Sequence, residues 1–200
     1  MSTITALGAG ADPGGRGDPR RAAGPPTMRF RVPAGPPPVL ADALQCASLS
    51  YGHDRAPSPT RRDFRDPHLV LSRDIQESSP AFIPWDVPGA GRLMAPTTTL
   101  MFRDRPYHLL PELVRGKLNE VRNQYADWQG GGLTAAPDVD DLIRRATHAF
   151  GQSLLDLPAA AADRKAEEAL GWSFAAADRL VRLYSDQVFR LRHQRQAKFD

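Results

Sequence analysis

Residues 92–128 read RLMAPTTTLMFRDRPYHLLPELVRGKLNEVRNQYADW, and within them the hydrophobic period changes. Up to Phe102 the run is apolar and β-branched, with Leu93, Met94, Thr97, Thr98, Thr99, Leu100 and Met101, which suits a strand. From Leu110 onward Val114, Leu118, Val121, Tyr125 and Trp128 step by four and three, which places them on one stripe of a helix. Pro111 falls in the first turn, where proline is tolerated, and Gly130-Gly131-Gly132 ends the helix. Sheet therefore gives way to helix near Tyr107, and the chain reads as α+β.

Working toward the N-terminus, Val87-Pro88-Gly89-Ala90-Gly91 marks a turn, and Ala81-Phe82-Ile83-Pro84-Trp85 is a short apolar run bounded by prolines. His68 to Ile75 reads as a strand, and Met28, Phe30 and Val32 alternate with Arg29 and Arg31 as strand residues do. Residues 54–67 are polar and Arg-rich and are expected to be an exposed loop; Pro36 to Pro38 are loop signals. Residues 28–107 are thus expected to form a small antiparallel β-sandwich-like module.

Working toward the C-terminus, a second helix is expected from Pro137 or Asp138, with Val139, Leu142, Ile143, Ala146, Phe150 and Leu154 on one face. A third, long helix runs from about 159 to 197, where Gly171 is a candidate kink. Residues 108–200 are expected to be a segment of two to three antiparallel helices. Residues 1–27 hold almost no large apolar side chain and are expected to be a disordered head. Met28 is a candidate translation start. The 35 glycines and prolines follow this division, with 15 in residues 1–40, 11 in 41–110 and 9 in 111–200.

Composition excludes several classes. A net charge of +3 is too small to argue for nucleic acid. Of 26 basic side chains only three are lysine, and the scattered arginines fit a coding bias as well as they fit anion binding. The single Cys46 allows no internal disulfide and is expected to be a small buried hydrophobe. No stretch reaches the roughly 18 apolar residues of a membrane span, and no signal-peptide core is visible, so the default location is cytoplasmic.

No catalytic, metal or cofactor motif emerges. The five histidines form no His-x-x-x-His pair enclosing a glutamate, and Gly89-Ala90-Gly91-Arg92 lacks the parts of a phosphate loop. Glu112 and Glu120 lie on one helix among Arg115, Lys117 and Arg122, where solvated ion pairs are the heavier reading. The aromatics Trp85, Phe102, Tyr107 and Trp128 suit stacking on a sugar ring or a base. Packing is the heavier reading for Trp85 and Trp128, and Tyr107 suits an anchor between the two layers through its ring and hydroxyl.

Pro84 to Met94, Thr97 to Leu100, Arg103 to Leu110, Glu112 to Asn119, Arg122-Asn123-Gln124 and Asp127-Trp128 together carry a resemblance. The chain is similar to the N-terminal region of bacterial proteins related to glycoside hydrolase family 10, the endo-1,4-β-xylanases. There a β-rich module and a helical segment precede the catalytic (β/α)₈ barrel. The resemblance spans roughly residues 28–200 and is most specific over 84–128. It carries over no catalytic residue, because the two glutamates of that chemistry belong to the barrel, and a barrel typically needs about 250 residues. Arg192-His193-Gln194-Arg195 resembles the connection into the barrel, so the chain is expected to be a fragment, a truncated product or a stand-alone module.

The resemblance implies a non-catalytic accessory module that binds carbohydrate or supports the barrel, with Trp85 and Tyr107 as candidate substrate-binding residues. The partners it implies are a polysaccharide or a downstream catalytic barrel, with no cofactor, metal, nucleic acid or membrane. The alternative is a helical protein–protein scaffold with no carbohydrate role.

Overall fold

Met28, Phe30 and Val32 are all buried, and the arginines between them are exposed, as the alternation requires. They belong to strand β1 (Thr27–Arg31) and the residue that follows it. The computed structural model describes residues 25–34, 38–51, 56–155 and 158–196. Residues 1–24 of the expected head lie outside these.

Seven further strands follow: β2 (Ser48–Tyr51), β3 (Ala56–Pro57), β4 (Arg61–Arg65), β5 (His68–Ser72), β6 (Ala81–Val87), β7 (Gly91–Pro96) and β8 (Tyr107–His108). The helices are α1 (Pro38–Leu44), α2 (Leu109–Gly130), α3 (Pro137–Ser153) and α4 (Ala159–Gln196). The fold is α+β, with two four-stranded sheets in the orders β4-β5-β1-β8 and β3-β2-β6-β7. Pairing is antiparallel except for β1 with β8, which run parallel over Phe30–Tyr107 and Arg31–His108.

Several local expectations are corrected. Residues 61–65 are not loop but strand β4, paired with β5 from Arg61–Ser72 to Arg65–His68. Its charges conceal it because it is an edge strand from which only Phe64 packs against the core, and charge on an edge deters further pairing. Pro38 starts helix α1, where its missing N–H costs nothing, and Leu40 and Leu44 of that helix are buried one turn apart. Cys46 is exposed, in the turn that ends α1, where its N–H reaches the Ala43 carbonyl.

The β6–β7 hairpin forms one end of its sheet, with β7 at the edge. Ala81, Ile83, Trp85 and Val87 face inward at period two. Pro84 is tolerated because β2 pairs with β6 only at Ala81 and Phe82, so beyond them one edge of β6 asks for no donor. The turn has Pro88 and Gly89 in its central positions, Gly89 at φ 77°, and the Ala90 N–H bonded to the Val87 carbonyl at 3.0 Å. That is the geometry of a type II turn, which needs a residue at positive φ. Thr97 then takes over the ladder: its hydroxyl accepts the Ala81 N–H at 2.9 Å. The expected strand to Phe102 ends at Pro96, with one isolated bridge resuming at Ser79–Leu100.

Helix α2 ends as its glycines demand. Gly132 has φ 97°, the Leu133 N–H reaches back to the Trp128 carbonyl and the Gly132 N–H to that of Gln129. This pair of bonds satisfies carbonyls that the helix end leaves open. Helix α3 begins with Pro137, and the Tyr125 hydroxyl accepts the Ala136 N–H before it at 2.9 Å.

Two hydrophobic clusters hold the molecule. The larger one joins both sheets to Leu109, Leu110, Leu113 and Val114 of α2 and to Ala166, Ala169 and Leu170 of α4. The smaller one lies among the helices around Val121, Tyr125, Val139 and Leu180, with Trp128 packed against it and stacked on Tyr184 at 4.2 Å. Two glycines set how closely sheet and helices approach. A Cβ on Gly116 of α2 would meet the Pro96 carbonyl oxygen and lie 2.5 Å from the Thr97 carbonyl carbon. Gly171 of α4 faces the hairpin turn, where a Cβ would lie 3.2 Å from the Pro88 oxygen.

Candidate functional site

The two aromatics singled out from the sequence lie in the same core cluster. Trp85 is 3 % exposed, among the inward residues of β6, and Tyr107 is 6 % exposed. The Tyr107 hydroxyl donates to the Met101 carbonyl at 3.0 Å, its ring leans on Phe30 at 5.8 Å, and the Arg103 guanidinium covers it at 3.5 Å from the centroid. Its ring and hydroxyl are engaged with β1 and with the loop that precedes β8, not with a helix. Neither ring presents a face on which a sugar could stack.

Glu112 and Glu120 each carry an ion pair on α2. Arg115 holds Glu112 at 2.8 Å, and Lys117 holds Glu120 at 3.0 Å, both at i, i+3. Each pair has one largely shielded member, Glu112 in the first and Lys117 in the second.

The Glu112–Arg115 pair also lines a cleft of about 840 Å³ in which charge converges, where the end of β1, the first turn of α2, the end of α3 and the start of α4 meet. Arg31, His108, Arg164, Asp163 and Glu167 line it. Asp163 and Glu167 are one turn apart on α4, which brings their carboxylates onto one face. Burial pushes the Asp163 carboxyl above its ordinary value, and the charges of Arg31 and His108 pull it part of the way back. Burial also raises Glu167, and the neighbouring Asp163 charge adds to the effect. Such a pair holds its protons to higher pH than free carboxylates do. Among the described residues, no group of three or more His, Cys, Asp or Glu could hold a metal ion.

A second concavity is apolar. The hairpin turn and α4 border about 870 Å³ lined by Pro88, Leu93, Trp172, Phe174 and Val181, with Glu168, Asp178 and Arg182 also in the lining. Gly171 lets the turn approach the helix by keeping a side chain out of the contact with Pro88.

Sequence reasoning passed over Arg73, the largest fully buried side chain, at 2 % exposure. Its guanidinium donates to three carbonyls, those of Ser50 at 2.8 Å, Ile75 at 3.0 Å and Glu77, and it lies over the rings of Tyr51 and Phe102. It therefore ties β2 to the loop after β5 through a charge that neutral oxygens and aromatic faces solvate. A lone arginine after an apolar strand carries no sequence signal of this role.

The chain matches no protein-family model, no curated protein and no solved structure. No helix among the described residues is long and apolar enough to cross a membrane.

Proposed function

We propose that the chain is a non-catalytic accessory module of a xylanase-like glycoside hydrolase and that it supports a catalytic barrel by packing against it. The observation that carries this reading is the line of large apolar side chains left exposed on α4, a helix of 38 residues. A helix face of that kind serves association. The resemblance over residues 84–128 supplies the class of partner. Burial of Trp85 and Tyr107 weighs against a role in holding polysaccharide and favours barrel support. A cytoplasmic location belongs to the same reading, and cell fractionation of the natural host tests it.

The test mixes the purified chain with a separately expressed family 10-type barrel and follows the pair by calorimetry and light scattering. Association that raises the melting temperature of the barrel is the expected outcome. Affinity electrophoresis through a xylan gel should show no retardation. Retardation by xylan would return the role to carbohydrate binding. A chain that ignores the barrel yet binds other proteins through α4 would be the helical scaffold with no carbohydrate role, which the same exposed face also suits.

A further inference from the structure

Opposite charges line the charged cleft together without pairing. On α4, Asp163 and Glu167 are half-buried and one turn apart, and the lysine between them in sequence, Lys165, is engaged with Glu168 at 2.8 Å. On the sheet, β1 and β8 run parallel with Arg31 opposite His108, which sets these two exposed side chains on one face. Arg164 of α4 also lines the cleft. The Asp163 carboxyl feels the charges of both Arg31 and His108. Yet among the described residues no ion pair or side-chain hydrogen bond engages Asp163, Glu167, Arg31, His108 or Arg164. The other two arginines of the cleft are spoken for, Arg103 by the Tyr107 ring and Arg115 by Glu112.

Two carboxylates on neighbouring turns repel each other, and their partial burial makes each harder to ionise alone. A cation placed between them relieves both effects, and no side chain among the described residues supplies it there. A metal ion does not fit, because no group of three or more ligating side chains is present among the described residues. The volume of about 840 Å³ lies in the range of about 300–1,000 Å³ that small molecules occupy. Apolar lining comes from Pro111 and from Leu154 and Leu155, which are 54 % and 63 % exposed. We propose that the cleft binds a small zwitterion, a primary ammonium and a carboxylate joined by an aliphatic chain. The ammonium donates to Asp163 and Glu167, the carboxylate accepts from Arg31, Arg164 and His108, and the chain lies against Leu154 and Leu155. Ammonium brings three donors to the carboxylates, and guanidinium presents a fork that suits a carboxylate. A ligand of one charge would satisfy one set and leave the other unmet. This binding activity goes beyond the supporting role proposed above and does not depend on it.

The full chain at neutral pH and low salt is titrated with a series of ω-amino acids, from γ-aminobutyrate through ε-aminocaproate to ω-aminooctanoate, and with hexylamine and caproate as single-charge controls. Backbone amide chemical shifts report affinity and place. One member of the series is expected to bind at least about tenfold more tightly than either control, moving the amides of Arg31, His108 and Asp163, with the preference shrinking as salt rises. Glu167→Gln should weaken that ligand and hexylamine about tenfold and leave caproate unchanged, without lowering the melting temperature of the chain. Arg31→Gln, at an exposed position, should weaken the same ligand and caproate and leave hexylamine unchanged. Equal binding of a single-charge control, no binding of any ω-amino acid, or binding that both substitutions leave intact overturns the inference. A chain that stabilises a barrel and ignores every probe keeps the supporting role without this site. A chain that binds an ω-amino acid in the cleft and ignores the barrel keeps the site alone.

Discussion

Single residues set how closely the sheets and helices approach, and Gly116 and Gly171 differ in a way that can be measured. Both are helical, so alanine gains up to about 1 kcal/mol of helix propensity at each. At Gly116 the new methyl meets backbone of Pro96 and Thr97, which no rotamer change can clear. Gly116→Ala should therefore cost about 2 kcal/mol or more, read as a lower urea midpoint. At Gly171 the nearest atom is 3.2 Å away on a hairpin turn, which can shift by a few tenths of an ångström. Gly171→Ala should fall within about 0.5 kcal/mol of the parent. Arg73 is the polar counterpart. Arg73→Met leaves three carbonyls without their donor, and a loss of about 3 kcal/mol is expected in the same titration.

Among the elements, the hairpin turn and the helices differ in how directly the sequence states them. Gly89 at φ 77° makes the turn, and alanine there has open space but the wrong backbone preference. Gly89→Ala should cost about 1 kcal/mol through strain alone, without displacing Pro88 from α4; thermal melting measures the first and the mobility of Trp172 fluorescence the second. The turn was legible because proline and glycine fix its two central residues. The three long helices were legible because Leu110, Val114, Leu118, Val121 and Tyr125 bury one face of α2, and similar stripes serve α3 and α4. Strand β4 was not legible, since an edge strand of Arg61, Arg62, Asp63 and Arg65 has the composition of a loop. The charged cleft was not legible either. Asp163 and Glu167 on α4 form no motif by themselves, and the cleft needs β1, α2 and α3 to close around them from distant parts of the chain. The apolar trough likewise needs Leu93 and Val181, from opposite halves of the chain, to face one another.

At the scale of the whole molecule the β-rich and helical segments behave as one structure, because the larger core draws on both sheets and on α2 and α4. The cleft between them gives this a pH signature. Asp163 and Glu167 have raised carboxyl values in the fold, so the folded chain binds more protons than the unfolded chain between the ordinary value and the raised one. Stability falls as pH rises through that window, and the loss is complete above it. Glu167→Gln, which removes one charge and relieves Asp163 of its neighbour, should stabilise the chain at neutral pH and flatten the profile across the window. A steeper profile or a loss at pH 7 would mean that Glu167 has a favourable partner in the fold. The shared core makes a second prediction. Trp85 reports the sheets, while far-UV circular dichroism reports mainly α2, α3 and α4. With Trp128 and Trp172 replaced by phenylalanine, fluorescence of Trp85 and ellipticity should lose signal at the same urea concentration. Independent segments would give two midpoints, whereas a core that includes Trp85, Leu113 and Leu170 cannot open on one side alone.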